Sequence, residues 1–393
     1  MCGAAAAISA RKVPMSLLVK SSPDTSEKLT ILSRDSQYDL ACACATSQDE
    51  HRRRSKEHKW IYPVTLPQGG TTYLFKTLLS NECVNNCRYC PLRVGSDVER
   101  CSLSPEELAK AFLDYYHSGR VSGLFLSSGV TRNPDTTMER INRTALILRR
   151  MRFKGYIHLK VIPGASESAI RHCLSLANAV SLNIETAGEE NFRDLSTTKD
   201  YLRDIIKPIQ LISRLRQAGP VYNRVKQTTQ FVVGAAGETD RQIIGYSWKL
   251  YKELGLSRVY FSAYQRGVGA SDVPGERSAL SNSGLLTREH RLYQADWLIR
   301  KYGFSAEEIP VDAQGNLSLE ADPKEVWAKS HPEFFPVNIN KDSAFRLLRV
   351  PGLGQVTIER ILALRKSGVR LRSLDTLGRQ GRLFKKAQEY LAF

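Results

Sequence analysis

The chain has 393 residues, 42% hydrophobic and 25% charged, with 57 Lys and Arg against 40 Asp and Glu for a formal charge of +17. That length accommodates one domain of about 200 to 250 residues and a smaller one, and the composition is that of a globular rather than a fibrous or low-complexity protein. No apolar run approaches the roughly 18 residues of a membrane span, so no membrane partner is expected, and the positive excess favours a polyanionic one.

Residues 1–22 are rich in Ala and Ser, lack acidic residues and carry Arg11, Lys12 and Lys20. That pattern is open to a transit peptide or to a leader ahead of a start at Met15. With the charged stretch 48–59 it makes residues 1–60 an N-terminal extension, expected to be partly disordered. From Trp60 onward, β-rich runs at 75–80, 123–127, 156–161, 179–185, 226–234 and 258–263 alternate with helical runs near 104–116, 137–152, 166–176, 201–218 and 239–254. Ser104, Pro105 and Glu107 supply an N-cap, a first-turn proline and a capping box, and Gly219-Pro220 is a stop. Strict alternation predicts the α/β class, with parallel strands joined by right-handed crossovers in a partial barrel or an open sheet. In either architecture the functional loops lie at the C-terminal strand ends. An amphipathic helix at 288–304 closes this unit, placed at 61–305. Pro310, Pro323, Pro332 and Pro336 punctuate a connector over 306–336, expected to pack on the barrel, and 337–393 reads as a separate small helical unit.

The eight cysteines are Cys2, Cys42, Cys44, Cys83, Cys87, Cys90, Cys101 and Cys173. They cluster rather than spread as a disulfide framework, which points to a reducing, cytoplasmic setting and to metal or redox chemistry. Three of them fall in "NECVNNCRYC" (81–90) with C-x3-C-x2-C spacing, just after the first long strand. The flanking Asn81, Glu82, Asn85, Asn86 and Arg88 are polar, so these are not simply buried small hydrophobes. Zinc prefers a closed set of four ligands in C-x2-C or C-x4-C pairs, with Cys101 the candidate fourth. A [4Fe–4S] cluster held by three thiolates instead leaves one iron open for chemistry. Cys42 and Cys44 with Cys101 form a weaker candidate for a second cluster, and Cys173 sits on an apolar helix face, as a core residue would.

This motif, with Tyr89 just before the third cysteine, resembles that of the radical S-adenosylmethionine (SAM) enzymes. The resemblance implies that Cys83, Cys87 and Cys90 hold the [4Fe–4S] cluster and that Tyr89 lies near the SAM adenine. It implies that the open iron binds the amino and carboxylate groups of SAM. Cleavage of SAM with an electron from an external donor would then yield a 5′-deoxyadenosyl radical that abstracts a hydrogen atom. By the same resemblance Ser127, Ser128 and Gly129 stand where many members carry a Gly-Gly-Glu segment against the SAM amino group. In "SLNIET", Asn183 and Glu185 share a face with Ser181 by the period of a strand and are assigned to the SAM ribose or methionyl part. Gly234, with Gly237, is the candidate for close approach of the adenine. The catalytic hydrogen donor is unassigned; Tyr264, His290 and Cys101 are candidates that also have structural readings.

Residues 346–365, "RLLRVPGLGQVTIERILALR", follow a helix-hairpin-helix pattern. Gly352 and Gly354 shape a tight turn, and the amides of Leu353, Gly354, Gln355 and Val356 are the expected phosphate donors at a positive helix end. Arg349 and Arg360, with Arg365, Lys366 and Arg370, would add phosphate contacts, which position a nucleic acid without reading it. Residues 336–393 hold 12 Lys and Arg against 4 Asp and Glu, a balance of +8. Residues 374–387 resemble a degenerate second hairpin with Gly378 and Gly381, and Ile358 stands where such units usually keep Ala. A solvated basic hairpin is the alternative reading.

Together with "SQYDLACACA", "LFLSSGV", "REHRLYQADWLIRKYGF" and "HPEFFPVNIN", these features resemble a bacterial group of radical SAM proteins described in DNA modification or repair. Members are often associated with uracil-DNA glycosylase-like partners. The expectation is therefore a partial (β/α)6 radical SAM barrel with a small all-α helix-hairpin-helix domain, acting on DNA. The alternatives are an enzyme acting on RNA or on a nucleic-acid-bound protein, and a non-catalytic zinc-containing nucleic-acid-binding protein.

Overall fold

The computed structural model describes residues 23–39, 60–66, 69–378 and 381–393. The leader at 1–22 and the second-cluster residues Cys42 and Cys44 lie outside them. The first element is a helix, α1 (Thr25–Asp35), which begins with a reciprocal capping box between Asp24 and Glu27. Its apolar face buries Leu29, Ile31 and Leu32 in the same core as Phe75 and Leu103. Lys28 pairs with Glu107 at 3.1 Å. Part of the expected extension is thus integral to the fold.

The strands β1 (Ile61–Thr65), β2 (Thr71–Leu78), β3 (Gly123–Ser127), β4 (Tyr156–Lys160), β5 (Ala179–Ser181), β6 (Lys226–Val233) and β7 (Arg258–Ala263) form one sheet in chain order. β1 is antiparallel to β2, and every later neighbour is parallel. The six parallel strands are the expected ones; the antiparallel edge strand β1, which carries Pro63 opposite Tyr73, is an addition to the predicted set. Among the described residues β7 does not pair with β1, so the sheet is a curled half-barrel.

Crossover helices α2 (Pro105–His117), α3 (Pro134–Arg150), α4 (Glu167–Leu176), α5 (Glu189–Arg193), α6 (Lys207–Gln217) and α7 (Asp240–Lys252) cover the outside, followed by α8 (Asn282–Tyr302). A π-helical turn, Tyr201–Ile206, leads into α6. The capping box at Ser104 and Glu107 forms as expected. The alternation of the strands divides two environments. On β4, Ile157 and Leu159 join the hydrophobic layer under the helices, whereas His158 and Lys160 turn the other way. His158 is bonded to Ser181 at 3.0 Å and packed on Phe125 at 4.6 Å. The inner face is therefore polar. A closed β/α barrel is normally filled with branched apolar side chains, so this interior is built to hold something else.

The connector packs on the barrel through Ile309, Leu317 and Trp327, the last on α9 (Pro323–Ser330). Beyond it, β8 (Val337–Asn338), α10 (Ala344–Leu348), α11 (Gln355–Lys366), α12 (Arg382–Gln388) and β9 (Leu391–Ala392) surround a second core of Val337, Leu347, Val350, Leu353, Ile358 and Ile361. β8 and β9 pair in parallel, so this unit is helical with a small β clasp rather than all-α.

Candidate functional site

The cysteine loop leaves β2 and is anchored before it reaches its first thiol. Asn81 is fully buried; its amide donates to Asp35 Oδ2 at 2.8 Å and to Glu99 O at 2.7 Å, and its carbonyl oxygen Oδ1 accepts from the Cys101 backbone. At the far end the Arg100 guanidinium donates to the carbonyls of Asn81, Leu92, Arg93 and Ser96 and to the Ser96 hydroxyl. One cation thus curls residues 81–96 round itself, and its planar set of five donors suits that task where lysine's would not. Asn86 ties the loop to Thr197 at 2.6 Å.

Cys83, Cys87 and Cys90 all line one cavity of about 180 Å³ at the C-terminal ends of the strands. The backbone N–H of Val130 points at Cys83 Sγ (3.5 Å) and that of Leu92 at Cys90 Sγ (3.4 Å), the kind of donor that tunes a cluster sulfur. Burial, and then the neighbouring Cys87, push the Cys90 thiol well up. Among the described residues no three His, Cys, Asp or Glu side chains are grouped to hold a single metal ion. The thiols share a cavity without sharing one coordination point. Cys101 points away, its Sγ 3.8 Å from Lys28 O, and Cys173 is fully buried in the core.

Tyr89, Ser127, Ser128, Gly129, Asn183 and Glu185 line the same cavity. β5 stops at Ser181, so Asn183 and Glu185 do not share a strand face as expected. The chain instead kinks and rejoins β6 through a bridge between Glu185 and Phe231. Glu185 takes φ +68°, a conformation costly for a non-glycine residue and typical of functional positions. Its Oε2 and Asn183 Oδ1 are buried acceptors without a protein donor. Burial, reinforced by Glu185, pushes the Tyr89 phenol well up.

Of these assignments Gly234 is corrected, whereas Gly129 and Ser127 stay in the cavity wall and have further partners there. Gly129 is required by the cysteine loop, because a Cβ there would lie 2.2 Å from Glu82 O, and its amide is taken by Ser80 O at 2.7 Å. Ser127 stands beside Asp39 and helps to keep its carboxyl low. Gly234 does not face the cavity: a Cβ there would meet Leu285 on α8 at 2.8 Å, and its amide donates to Glu238 at 2.7 Å. Val232 lines the cavity from β6 in its place. Tyr264, also in the wall, donates its hydroxyl to Glu276.

Sequence reasoning passed over Lys199, Lys160 and Asp39. Lys199 and Glu185, each side chain 6% exposed, approach to 3.9 Å. Burial alone would lower Lys199, but Cys87 and Glu185 outweigh it and raise the ammonium. Lys160 pairs with Asp39 at 2.7 Å. None of the three belongs to a short motif, since each reaches the cavity from a different loop or strand end.

In the tail, α10 and α11 are joined through Gly352, whose φ of +84° and close approach to Leu383 O (2.2 Å from a Cβ) exclude any side chain. Gly354 caps α11, and Gln355 and Arg360 are exposed. Three assignments fail. Arg349 is 1% exposed; it is held by Glu308 at 2.7 Å and lies over the rings of Phe345 and Phe304 at 3.7 and 4.3 Å. It joins the tail to the connector and reaches no phosphate. The Leu353 amide bonds Val350 O at 3.2 Å and its side chain is buried. Arg365 is likewise committed, to Asn340 O and Asp342 O.

Residues 77–246 match the model of the radical SAM superfamily, and none of the curated proteins matches the chain. Among solved structures it is similar to HydG, a maturase of the [FeFe]-hydrogenase (15% identity, TM-score 0.43, 55% of this chain and 49% of that one). It is also similar to methylornithine synthase PylB (16%, 0.42, 56% and 62%) and to HydG from Carboxydothermus hydrogenoformans (15%, 0.42, 80% and 76%). The chain thus spans about half the length of the first of these structures. Residues 77–246, which carry the three cysteines, thus match a superfamily whose members are enzymes that use a [4Fe–4S] cluster and S-adenosylmethionine with an external electron donor.

Proposed function

We propose that this chain is a radical SAM enzyme acting on nucleic acid, DNA in the first instance, which its C-terminal unit holds by the phosphate backbone. The observation that carries the catalytic half is the convergence of Cys83, Cys87 and Cys90 on a cavity that also presents two orphaned acceptors, Glu185 Oε2 and Asn183 Oδ1. These residues fit the cofactors. Three thiols, two of them with backbone N–H donors, suit a cluster with one open iron, and buried acceptors without partners suit the hydroxyl donors of the SAM ribose.

Cys83, Cys87 and Cys90 would hold the cluster, and Tyr89, Asn183 and Glu185 would hold SAM. When bound, the pair supplies reductive cleavage of SAM and hydrogen-atom abstraction. This chain's own residues do the rest. Arg100 and Asn81 fix the loop, Lys199 sets a buried positive charge against Cys87 and Glu185, and the loop after β7 covers the thiols. That cover is tied down by Ala270 N to Arg88 O (2.6 Å) and by Arg93 Nη1 to Val268 O (3.2 Å). Exclusion of water is what a reactive radical intermediate needs from the protein.

The nucleic-acid half is supported by the glycine hairpin between α10 and α11, by the exposed Gln355 and Arg360, and by the basic balance of the tail. Phosphate contacts of this kind give affinity without sequence preference. Release of 5′-deoxyadenosine by anaerobically reconstituted protein with SAM and a reductant tests the whole reading, with and without duplex or single-stranded DNA and beside Cys87→Ala. Release that requires Cys87 and rises with DNA is expected. Release that rises with RNA and not with DNA would move the substrate, and a fully iron-loaded protein that releases none with any nucleic acid would sink the proposal.

A further inference from the structure

The wall of the cavity away from the cysteines is made by residues that the radical SAM domain does not supply alone. Asp39 comes from the segment that follows α1, outside the strand–helix alternation. It is placed there by two tethers, Asn81 to Asp35 Oδ2 at 2.8 Å and Gln230 Nε2 to Tyr38 O at 2.9 Å. It meets Lys160, the last residue of β4, at 2.7 Å, with side chains 18% and 9% exposed. Ser127 stands beside the same carboxylate and helps to hold it ionised. Below the pair the interior is closed by His158, bonded to Ser181 and Tyr156.

A buried ion pair is a poor stability device, because desolvating both charges offsets most of their attraction, and an apolar pair of similar volume is often as stable. Its position argues for recognition instead. Among the described residues, five ionisable side chains besides the cysteines and tyrosines line the cavity: Asp35, Asp39 and Glu185 are acidic, Lys160 and Lys199 basic. Among these five the acids outnumber the bases, and with Lys76 also acting on Asp39 the charges lie close to balance rather than forming the cationic cluster a phosphate would need. What this wall does offer, side by side and desolvated, is an ammonium donor and a carboxylate acceptor.

We propose that Asp39 and Lys160 form the substrate-recognition end of the cavity, and that they take the hydrogen-bonding edge of an uncharged nucleobase. The inference rests on the nucleic-acid reading above and deepens it: phosphates stay outside on the basic tail while a single base, unpaired or extruded from its stack, enters the barrel mouth. Lys160 donates to a ring carbonyl and Asp39 accepts from an adjacent ring or exocyclic N–H. The chemistry requires a donor and an acceptor on neighbouring atoms, so an abasic sugar lacks what this wall binds.

The test uses the full-length, cluster-loaded protein with SAM and no reductant. Its probes are short DNA strands that are abasic except for one central nucleotide, one strand for each base, and a fully abasic strand. Fluorescence anisotropy is expected to show the preferred base binding about tenfold more tightly than the abasic strand, the scale of one good bidentate contact. In the doubly substituted Asp39→Asn, Lys160→Met protein, which removes both charges together, the strands should bind within about twofold of one another. Iron content and abasic-strand affinity should be unchanged. Abasic binding without base discrimination in the wild type overturns this inference alone, as does discrimination that survives the double substitution. Failure of every strand to bind overturns the nucleic-acid reading and this inference with it.

Discussion

The barrel mouth and the tail interface each bury two cations, and the contrast separates a site from a joint. In the barrel, Lys160 and Lys199 face open space and are balanced by Asp39 and Glu185. At the tail, Arg349 is enclosed by Phe345, Phe304 and Trp327, and Lys324 donates to Leu353 O at 2.7 Å beneath the ring of Tyr302. Burial, led by desolvation, brings Lys324 down to about 7. Buried charge by itself therefore marks nothing. A cavity against the charge is what distinguishes the first region, whereas in the second aromatic rings stack over the cation and Arg349 Nη1, though unpaired, faces no open space.

Substitutions can break this comparison. The largest effect is expected from Arg100→Ala, which leaves four loop carbonyls without their donor and should cost roughly 4 kcal/mol. Iron bound per chain after reconstitution should fall with it, and Arg100→Lys should recover only part. Full iron loading of the alanine variant would show that the loop needs no such centre. Next, Arg349→Ala should lower stability in urea by about 3 kcal/mol, since it empties an aromatic enclosure and strands Glu308. The slope of log affinity for DNA against log salt should stay where it is. A fall in that slope by about 0.9 would return Arg349 to the phosphate contacts. The same joint makes deletion of 337–393 an unsuitable test of the tail, because it would uncover Trp327 and Phe304.

A smaller effect concerns the barrel floor. Burial, with Lys160 nearby, holds His158 down at about 3 against an ordinary 6.5. Between those values the unfolded chain takes a proton that the folded one refuses. This contribution to stability is therefore complete above pH 6.5 and is lost as pH falls toward 3, by at most about 1.4 kcal/mol per pH unit. Melting of the wild type and of His158→Gln at pH 4 and pH 7 should show the narrower gap in the variant; equal gaps would place the acid sensitivity elsewhere. The smallest change in stability, within about 0.5 kcal/mol, is expected for Arg360→Ala on the exposed face of α11. There the salt slope for DNA should drop by about 0.9, and an unchanged slope would remove Arg360 from the interface.

Much of the scaffold was legible because its determinants are local. The capping box at Ser104, the period-2 runs and the Gly219 stop are written within a few residues, and the parallel strands lie where the periodicity placed them. The failures share one cause. Asn183 and Glu185 sit on a run that alternates like a strand, yet β5 ends at Ser181 and Glu185 takes a left-handed backbone at its single bridge to β6. Gly234 reads as a gap for a ligand, but the gap is filled from α8 by Leu285. Arg349 lies in a basic run and looks exposed until the rings of Phe304 and Trp327, from distant segments, close over it.

By itself, then, the amino-acid order determined the alternation of strands and helices, the spacing of three thiols on one loop and the glycine turn of the tail, since each depends on neighbours a few positions apart. Only the tertiary structure decided that Asp39 meets Lys160, that Lys199 stands behind Cys87 and that Arg349 is a joint. Those pairings join residues far apart in the chain, and whether a charge faces a cavity or a ring depends on what packs against it from elsewhere.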